Sequence, residues 1–173
     1  MYDNQKEALC AYAYIAGIID GEGSIMITKS VCGYKRKTPS YTPRIKVGKT
    51  ERQCLDFIVK HTGIGTITCE GVRKSHRDGC NRKGFFVWQV HSLINCPKFL
   101  KLIMPFLVLK RPQAKLLLSY CKGFNKQKKC MDGVPVIVRA FREETYHKMR
   151  KLNGKKAPAT TKPSNIREDE VIV

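Results

Sequence analysis

Two carboxylates one residue apart, Asp20 and Glu22, stand among glycines in the stretch Asp20-Gly21-Glu22-Gly23. They follow a segment, Glu7 to Ile19, that reads as a helix: it holds no proline and no glycine before Gly17, and Gly21 and Gly23 predict its end. The carbonyl end of a helix is partially negative and disfavours acids. Two acids there break a local rule, and such breaks concentrate at functional sites. Carboxylates beside exposed carbonyl oxygens form a hard-oxygen site suited to a divalent cation, the alternative being a solvated acidic turn. On the same helix Ala13, Gly17 and Gly21 fall at i, i+4 and i+8, with Ala16 beside them. Such a smooth stripe lets a second helix approach closely, while Tyr14, Ile15, Ile18 and Ile19 fill the other faces.

The rest of the chain must position these groups. Its 173 residues carry 33 Lys+Arg against 14 Asp+Glu, a formal net charge of +19, and 42% are hydrophobic. That is enough apolar material for a core, which excludes disorder throughout. An excess of positive charge this large calls for a polyanion, nucleic acid before an anionic membrane surface. The longest apolar runs, Ala11 to Ile19 and Phe99 to Leu109, are interrupted and too short to span a bilayer, so no membrane partner is expected. No basic segment followed by an apolar one opens the sequence, which argues against secretion. The eight cysteines are scattered without a CxxC pair and read mostly as small buried hydrophobes. Cys69, His76 and Cys80 have tolerable zinc spacing but no fourth ligand, so no zinc is expected.

After the first helix, Ser24 to Ser30 alternates as a strand with Ile25 and Ile27 on one face. Val31 to Pro43 reads as a basic loop, Arg44 to Val47 as a second strand, and Thr50 to His61 as a helix capped by Thr50 with Leu55, Ile58 and Val59 as its inner stripe. Strands follow at Gly65 to Cys69 and Phe85 to His91, joined by a loop basic enough to be a reaching arm. In the later strand Phe86, Trp88 and Val90 share one face, and Phe85, Val87, Gln89 and His91 the other. Helices are predicted at Pro97 to Met104, Pro112 to Gly123 and Pro135 to Leu152. Residues 1–153 then form one domain and 154–173 a flexible tail.

The segment Ile15-Ala16-Gly17-Ile18-Ile19-Asp20-Gly21-Glu22-Gly23 resembles the nine-residue signature of the LAGLIDADG homing endonucleases, with departures at Ile15, Ile18, Gly21 and Glu22. His61-Thr62-Gly63-Ile64-Gly65 is similar to the family's glycine pair before its third strand, and the segment Pro105 to Ala114 to the one that presents an active-site lysine. The resemblance runs from about Ala8 to Gly123. It implies an α+β fold, an αββαββα core whose saddle-shaped antiparallel sheet faces DNA, here with extra C-terminal helices.

A single signature implies a homodimer in which each subunit contributes its first helix, through Ala13, Ala16, Gly17 and Gly21, and one Glu22 near the dyad. The implied activity is a metal-dependent endodeoxyribonuclease that makes a staggered double-strand break in a long, near-palindromic duplex site. Glu22 and the Gly21 carbonyl would hold Mg²⁺, with Mn²⁺ or Ca²⁺ able to take the same place. Lys110 would sit by the scissile phosphate, Lys49 would stand where many relatives have Gln, and Asp20 would organise the helix end more than bind metal.

Alternation places Thr28, Ser30, Thr42, Arg44, Lys46, Thr66, Thr68, Gln89 and His91 opposite the core residues, as candidates for base edges. Arg44 suits guanine and Gln89 adenine through bidentate contacts. Strands of about eight residues would span roughly 26 Å, or about eight base steps. The loop cations Lys35, Arg36, Lys37, Arg73, Lys74, Arg77, Arg82 and Lys83 suit phosphates. Proteins similar to this family also act as RNA maturases, so RNA is an alternative partner, and a non-cleaving DNA-binding protein is another reading. The resemblance places the protein inside the cell with an intron-bearing genome, in an organelle or a prokaryotic cytoplasm.

Overall fold

The computed structural model describes residues 2–30, 39–70, 84–125 and 135–154. Helix α1 (Tyr2–Glu22) leads into strands β1 (Gly23–Ser30) and β2 (Ser40–Lys49), helix α2 (Gln53–Thr62), and strands β3 (Thr66–Glu70) and β4 (Phe85–Val90). Helix α3 (Asn95–Ile103), one 3₁₀ turn (Met104–Phe106), α4 (Arg111–Asn125) and α5 (Val136–Leu152) complete the described chain. The strands form one antiparallel sheet in the order β1-β2-β4-β3. Among the described residues no helix is long and apolar enough to cross a membrane. The loop cations 35–37, 73, 74, 77, 82 and 83, with His76, Cys80 and residues 155–173, lie outside the described residues.

Alternation decides which face of the sheet is dry. Ile25, Ile27, Ile45, Val47, Trp88 and Val90 are all buried, and α1 through α4 supply Ile15, Ile19, Leu55, Phe99, Ile103, Leu117 and Tyr120 against them. Trp88 is the largest of these, and its indole N–H donates to the Ile64 carbonyl at 3.0 Å. Gly65 makes room for it. With φ at +93° and a Cβ that would lie 2.4 Å from Trp88 Nε1, that position admits no side chain. Helix α5 runs along β1, with Asn153 Nδ2 just past the helix donating to the Ile25 carbonyl near the start of the strand and the inward-pointing Lys29 near its end reaching Glu143 at 2.8 Å. The Tyr41 hydroxyl also donates to Glu143.

Several expected boundaries move. α1 runs on through Gly21 to Glu22, so the two acids lie inside its last turn. β2 starts at Ser40 and passes through Pro43. Pairing of β2 with β4 extends only from Ile45 to Lys49, so the missing N–H of Pro43 interrupts no ladder on that side. α2 begins after Arg52, which makes no side-chain cap bond, and Thr50 lies before it in the turn. β3 and β4 are shorter than eight residues, and β4 stops before His91. Val87 faces outward with Gln89, yet it is buried.

Candidate functional site

The end of α1 meets the start of α4, and each supplies what the other lacks. One Asp20 carboxylate oxygen accepts from the backbone N–H groups of Val108 at 2.7 Å and Leu109 at 3.2 Å, and the other from that of Lys110 at 2.8 Å. An anion here sits at the partially positive start of a helix, whose first N–H groups have no partner of their own. In return Lys110 Nζ donates to the carbonyls of Ile19 at 2.9 Å and Asp20 at 2.6 Å, at the partially negative end of α1. The acid that seemed misplaced on its own helix therefore caps another. Asp20 and Glu22 do not form a shared pair: Asp20 is committed to this clamp, and Glu22 stands apart.

Glu22 leaves the helix end with its side chain 56% exposed, and Lys49 Nζ, from the last residue of β2, lies 2.8 Å from its Oε1. That hydrogen bond, then the Lys49 charge and more weakly that of Lys110, hold the Glu22 carboxyl below the usual carboxylate range. Its partner responds in kind, the bond that Lys49 donates to Glu22 raising the Lys49 ammonium. Cys54, in the first turn of α2, is held up by partial burial and feels both charges. The sequence reading did not place Cys54 at this corner, although its position five residues after Lys49 across one turn was a usable signal. Gly23 fixes the exit from helix to strand, since a Cβ there would fall 2.7 Å from the Ile19 carbonyl oxygen.

The small-residue stripe is open on three of its four expected members. Ala13, Gly17 and Gly21 are exposed, and a Cβ added at Gly17 or Gly21 would meet nothing within 4 Å. Leu9 extends the line one turn back and is also exposed. Ala16 is the exception: it is fully buried in this chain's own core, because it faces the same way as Ile15 and Ile19, and it is unavailable to a partner. Beside the helix end Val108 and Leu109 are 76% and 71% exposed, held there by their bonds to Asp20.

The outward face of the sheet carries the polar residues in rows. Ser24, Lys46, Gln89 and Thr66 are successive cross-strand partners across all four strands. Met26 pairs with Arg44, Thr28 with Thr42, and Ser30 with Ser40, while Thr68 stands beside Val87. Arg44 Nε is buried with no hydrogen-bond partner among the described residues. Thr28 and Thr68 donate to the carbonyls of Thr42 and Val87, so their hydroxyls keep only acceptor capacity. His91 is exposed just past β4.

No group of three or more His, Cys, Asp or Glu side chains converges among the described residues. Among the described residues this corner offers a divalent cation one uncommitted carboxylate, that of Glu22, and the backbone carbonyl of Gly21 in a last turn that lacks intrahelical partners. The donors are of the right hardness, and Glu22 already accepts a cation in the form of Lys49. Two oxygen donors are fewer than a divalent cation takes. The five described cysteines are free thiols, and Cys69 lies exposed with no zinc-forming cluster around it among the described residues.

The chain matches no protein-family model. It is 31% identical over 121 residues to the DNA endonuclease I-CreI of Chlamydomonas reinhardtii, covering 69% of this chain and 67% of that one. Its fold superposes on the homing endonuclease I-CvuI, solved with the I-CreI target DNA in Mg and with its own target in Ca, at a TM-score of 0.68 with 23% identity over 88% of both chains. It also superposes on the LAGLIDADG homing endonuclease I-GzeII bound to DNA, at a TM-score of 0.58 with 17% identity, but there 80% of this chain accounts for only 43% of the other. Identity above three in ten across two thirds of a relative, on a chain that ends its first helix in Asp20-Gly21-Glu22-Gly23 and folds as this one does, makes the protein a member of the LAGLIDADG homing endonuclease family.

Proposed function

We propose that the protein is a site-specific DNA homing endonuclease that acts as a homodimer and hydrolyses one phosphodiester on each strand of a long, near-palindromic duplex site, leaving a staggered break. The observation that carries this reading is the corner at the end of α1. An exposed carboxylate, Glu22, and two ammonium groups, Lys49 and Lys110, gather there beside a sheet whose outward face is polar and basic.

Two copies packing along Leu9, Ala13, Gly17 and Gly21, flanked by the exposed Val108 and Leu109, would bring two such corners to a common dyad, one for each DNA strand. The same dyad would set the donors of two chains side by side and so complete a coordination shell. That one copy of this fold fills less than half of I-GzeII fits a unit that works in pairs. Mg²⁺ held by Glu22 and the Gly21 carbonyl, with Mn²⁺ or Ca²⁺ able to take the same oxygens, would supply the Lewis acidity that neutralises the developing phosphorane and lowers the pKa of water.

The chain's own residues do the remainder. Arg44 and Gln89 read base edges from neighbouring strands, with Lys46, Thr66, Ser30 and Thr42 beside them and His91 at the margin. The loop cations at 35–37, 73, 74, 77, 82 and 83 grip phosphates. This orients the backbone so that one phosphate faces Glu22. Lys110, locked to the end of α1, adds fixed positive charge to the phosphate that accumulates negative charge, and Lys49 orients water or stabilises the leaving oxygen. Asp20 holds Lys110 and α4 in place.

The test is a supercoiled plasmid carrying the uninterrupted sequence that flanks this reading frame's insertion point, incubated with the protein and Mg²⁺. Wild type should linearise it, and Glu22→Gln should still bind the duplex yet leave it uncut. Undiminished cutting by Glu22→Gln would remove the nuclease assignment of that residue, and absence of cutting by wild type would remove the assignment altogether.

A further inference from the structure

Each charged group at the end of α1 has a partner inside the chain, and one of these partnerships joins two side chains that a dissolved cation can reach. Asp20 is occupied by three backbone donors, and Lys110 by two carbonyls. The third is Glu22 with Lys49, both partly exposed. We propose that Lys49 is a resident counter-cation for Glu22, one that allows two subunits to bring these carboxylates together before any divalent cation arrives and that the cation then displaces.

The inference rests on the homodimer proposed above. Glu22 follows directly on Gly21 at the end of the open line from Leu9. The tighter two copies pack along that line, the closer their Glu22 carboxylates come. Each carboxylate sits on a helix end that is itself partially negative, and like charges set against each other in a partly desolvated interface oppose association. Lys110 already offsets the carbonyls of Ile19 and Asp20, which leaves Lys49 as the cation in direct contact with Glu22.

The geometry suits a temporary occupant. Lys49 is fixed by its backbone at the end of β2, paired with Phe86, so its ammonium is presented from the sheet and does not travel with α1. An ion pair this accessible holds weakly. A doubly charged cation reaching the same oxygen can replace it, and Lys49 Nζ, still anchored nearby, is then released towards the phosphate.

The experiment is sedimentation of the full chain without DNA, over a concentration series, in EDTA and in millimolar Ca²⁺. Wild type should dimerise equally well in both. Lys49→Met keeps the aliphatic stem and loses the charge. Its dimer should weaken by about tenfold in EDTA and recover in Ca²⁺. Lys49→Arg should behave as wild type, and the double variant Glu22→Gln/Lys49→Met should dimerise normally in EDTA. A Lys49→Met dimer as tight as wild type in EDTA, or one weakened equally with and without Ca²⁺, overturns the counter-cation role while leaving the dimer standing. A wild-type chain that stays monomeric at every concentration overturns the homodimer reading and this inference with it.

Discussion

Replacing Asp20 by alanine removes the acceptor of three backbone N–H groups at the start of α4, at 2.7, 3.2 and 2.8 Å. Loss of an ordinary N-cap costs roughly 0.5–2 kcal/mol. The Asp20 carboxylate does more than an ordinary cap, because it comes from a different helix and its bonds are charge-assisted. It is also half-buried, so water can recover part of the loss at Val108 and Leu109, whose side chains are exposed. We therefore expect Asp20→Ala to lose about 2–3 kcal/mol, with Asp20→Asn, which retains one acceptor oxygen, losing about half of that.

For a chain of this length the alanine variant should melt roughly 5–10 °C lower. The assay is urea unfolding followed by far-UV circular dichroism at fixed protomer concentration in EDTA, so that neither association nor metal enters the comparison. Cleavage at a temperature where the variant is folded should fall only modestly, since Glu22 is untouched and Lys110 Nζ keeps its bonds to the backbone carbonyls of Ile19 and residue 20. If Asp20→Ala stays within about 0.5 kcal/mol of wild type while cleavage disappears, the clamp explanation is wrong and the carboxylate acts on the chemistry directly.

Gly17→Leu should separate assembly from folding. Its Cβ has open space, so in urea unfolding at concentrations where wild type is also monomeric the protomer should gain up to about 1 kcal/mol of helix propensity, while sedimentation at higher concentration shows the dimer lost. Gly65→Ala should cost about 3 kcal/mol or more by the same unfolding assay, because it combines a φ of +93° with a collision against the Trp88 ring. Burial pushes the Tyr120 phenol up to about 12, with Arg142 opposing and Cys121 adding to the rise. A folded-state value above the unfolded one gives stability that is complete below about pH 10 and fades as pH climbs towards 12. Unfolding measured at pH 9 and pH 11.5 should show that loss, and Tyr120→Phe should show a smaller one.

The periodic features were legible in the sequence because they depend on neighbours a few residues away. Period-two alternation separated Ile25, Ile45 and Trp88 from Lys46, Arg44 and Gln89 before any pairing was known, and the structure sets those two groups on opposite faces. The four-residue repeat of Ala13, Gly17 and Gly21 likewise marks an exposed helical line. Ala16 was misassigned because small size alone does not tell which way a residue faces, and its neighbours Ile15 and Ile19 carry it into the core. The start of β2 was hidden by Pro43, whose usual effect on a strand is cancelled only by where β4 happens to end.

What the sequence determined, then, was an acidic helix end, a smooth helical edge and a two-faced basic sheet, all properties of local order and composition. The family resemblance already assigned different tasks to Asp20 and Glu22, but the contacts that separate them belong to the tertiary structure. Asp20 meets its partners at Val108, Leu109 and Lys110 across 88 to 90 residues, and Lys110 reaches back to Ile19 across 91. Opposite helix ends attract an anion and a cation respectively, but only the fold brings those ends together, and so only the fold leaves Glu22 facing outward with Lys49 beside it.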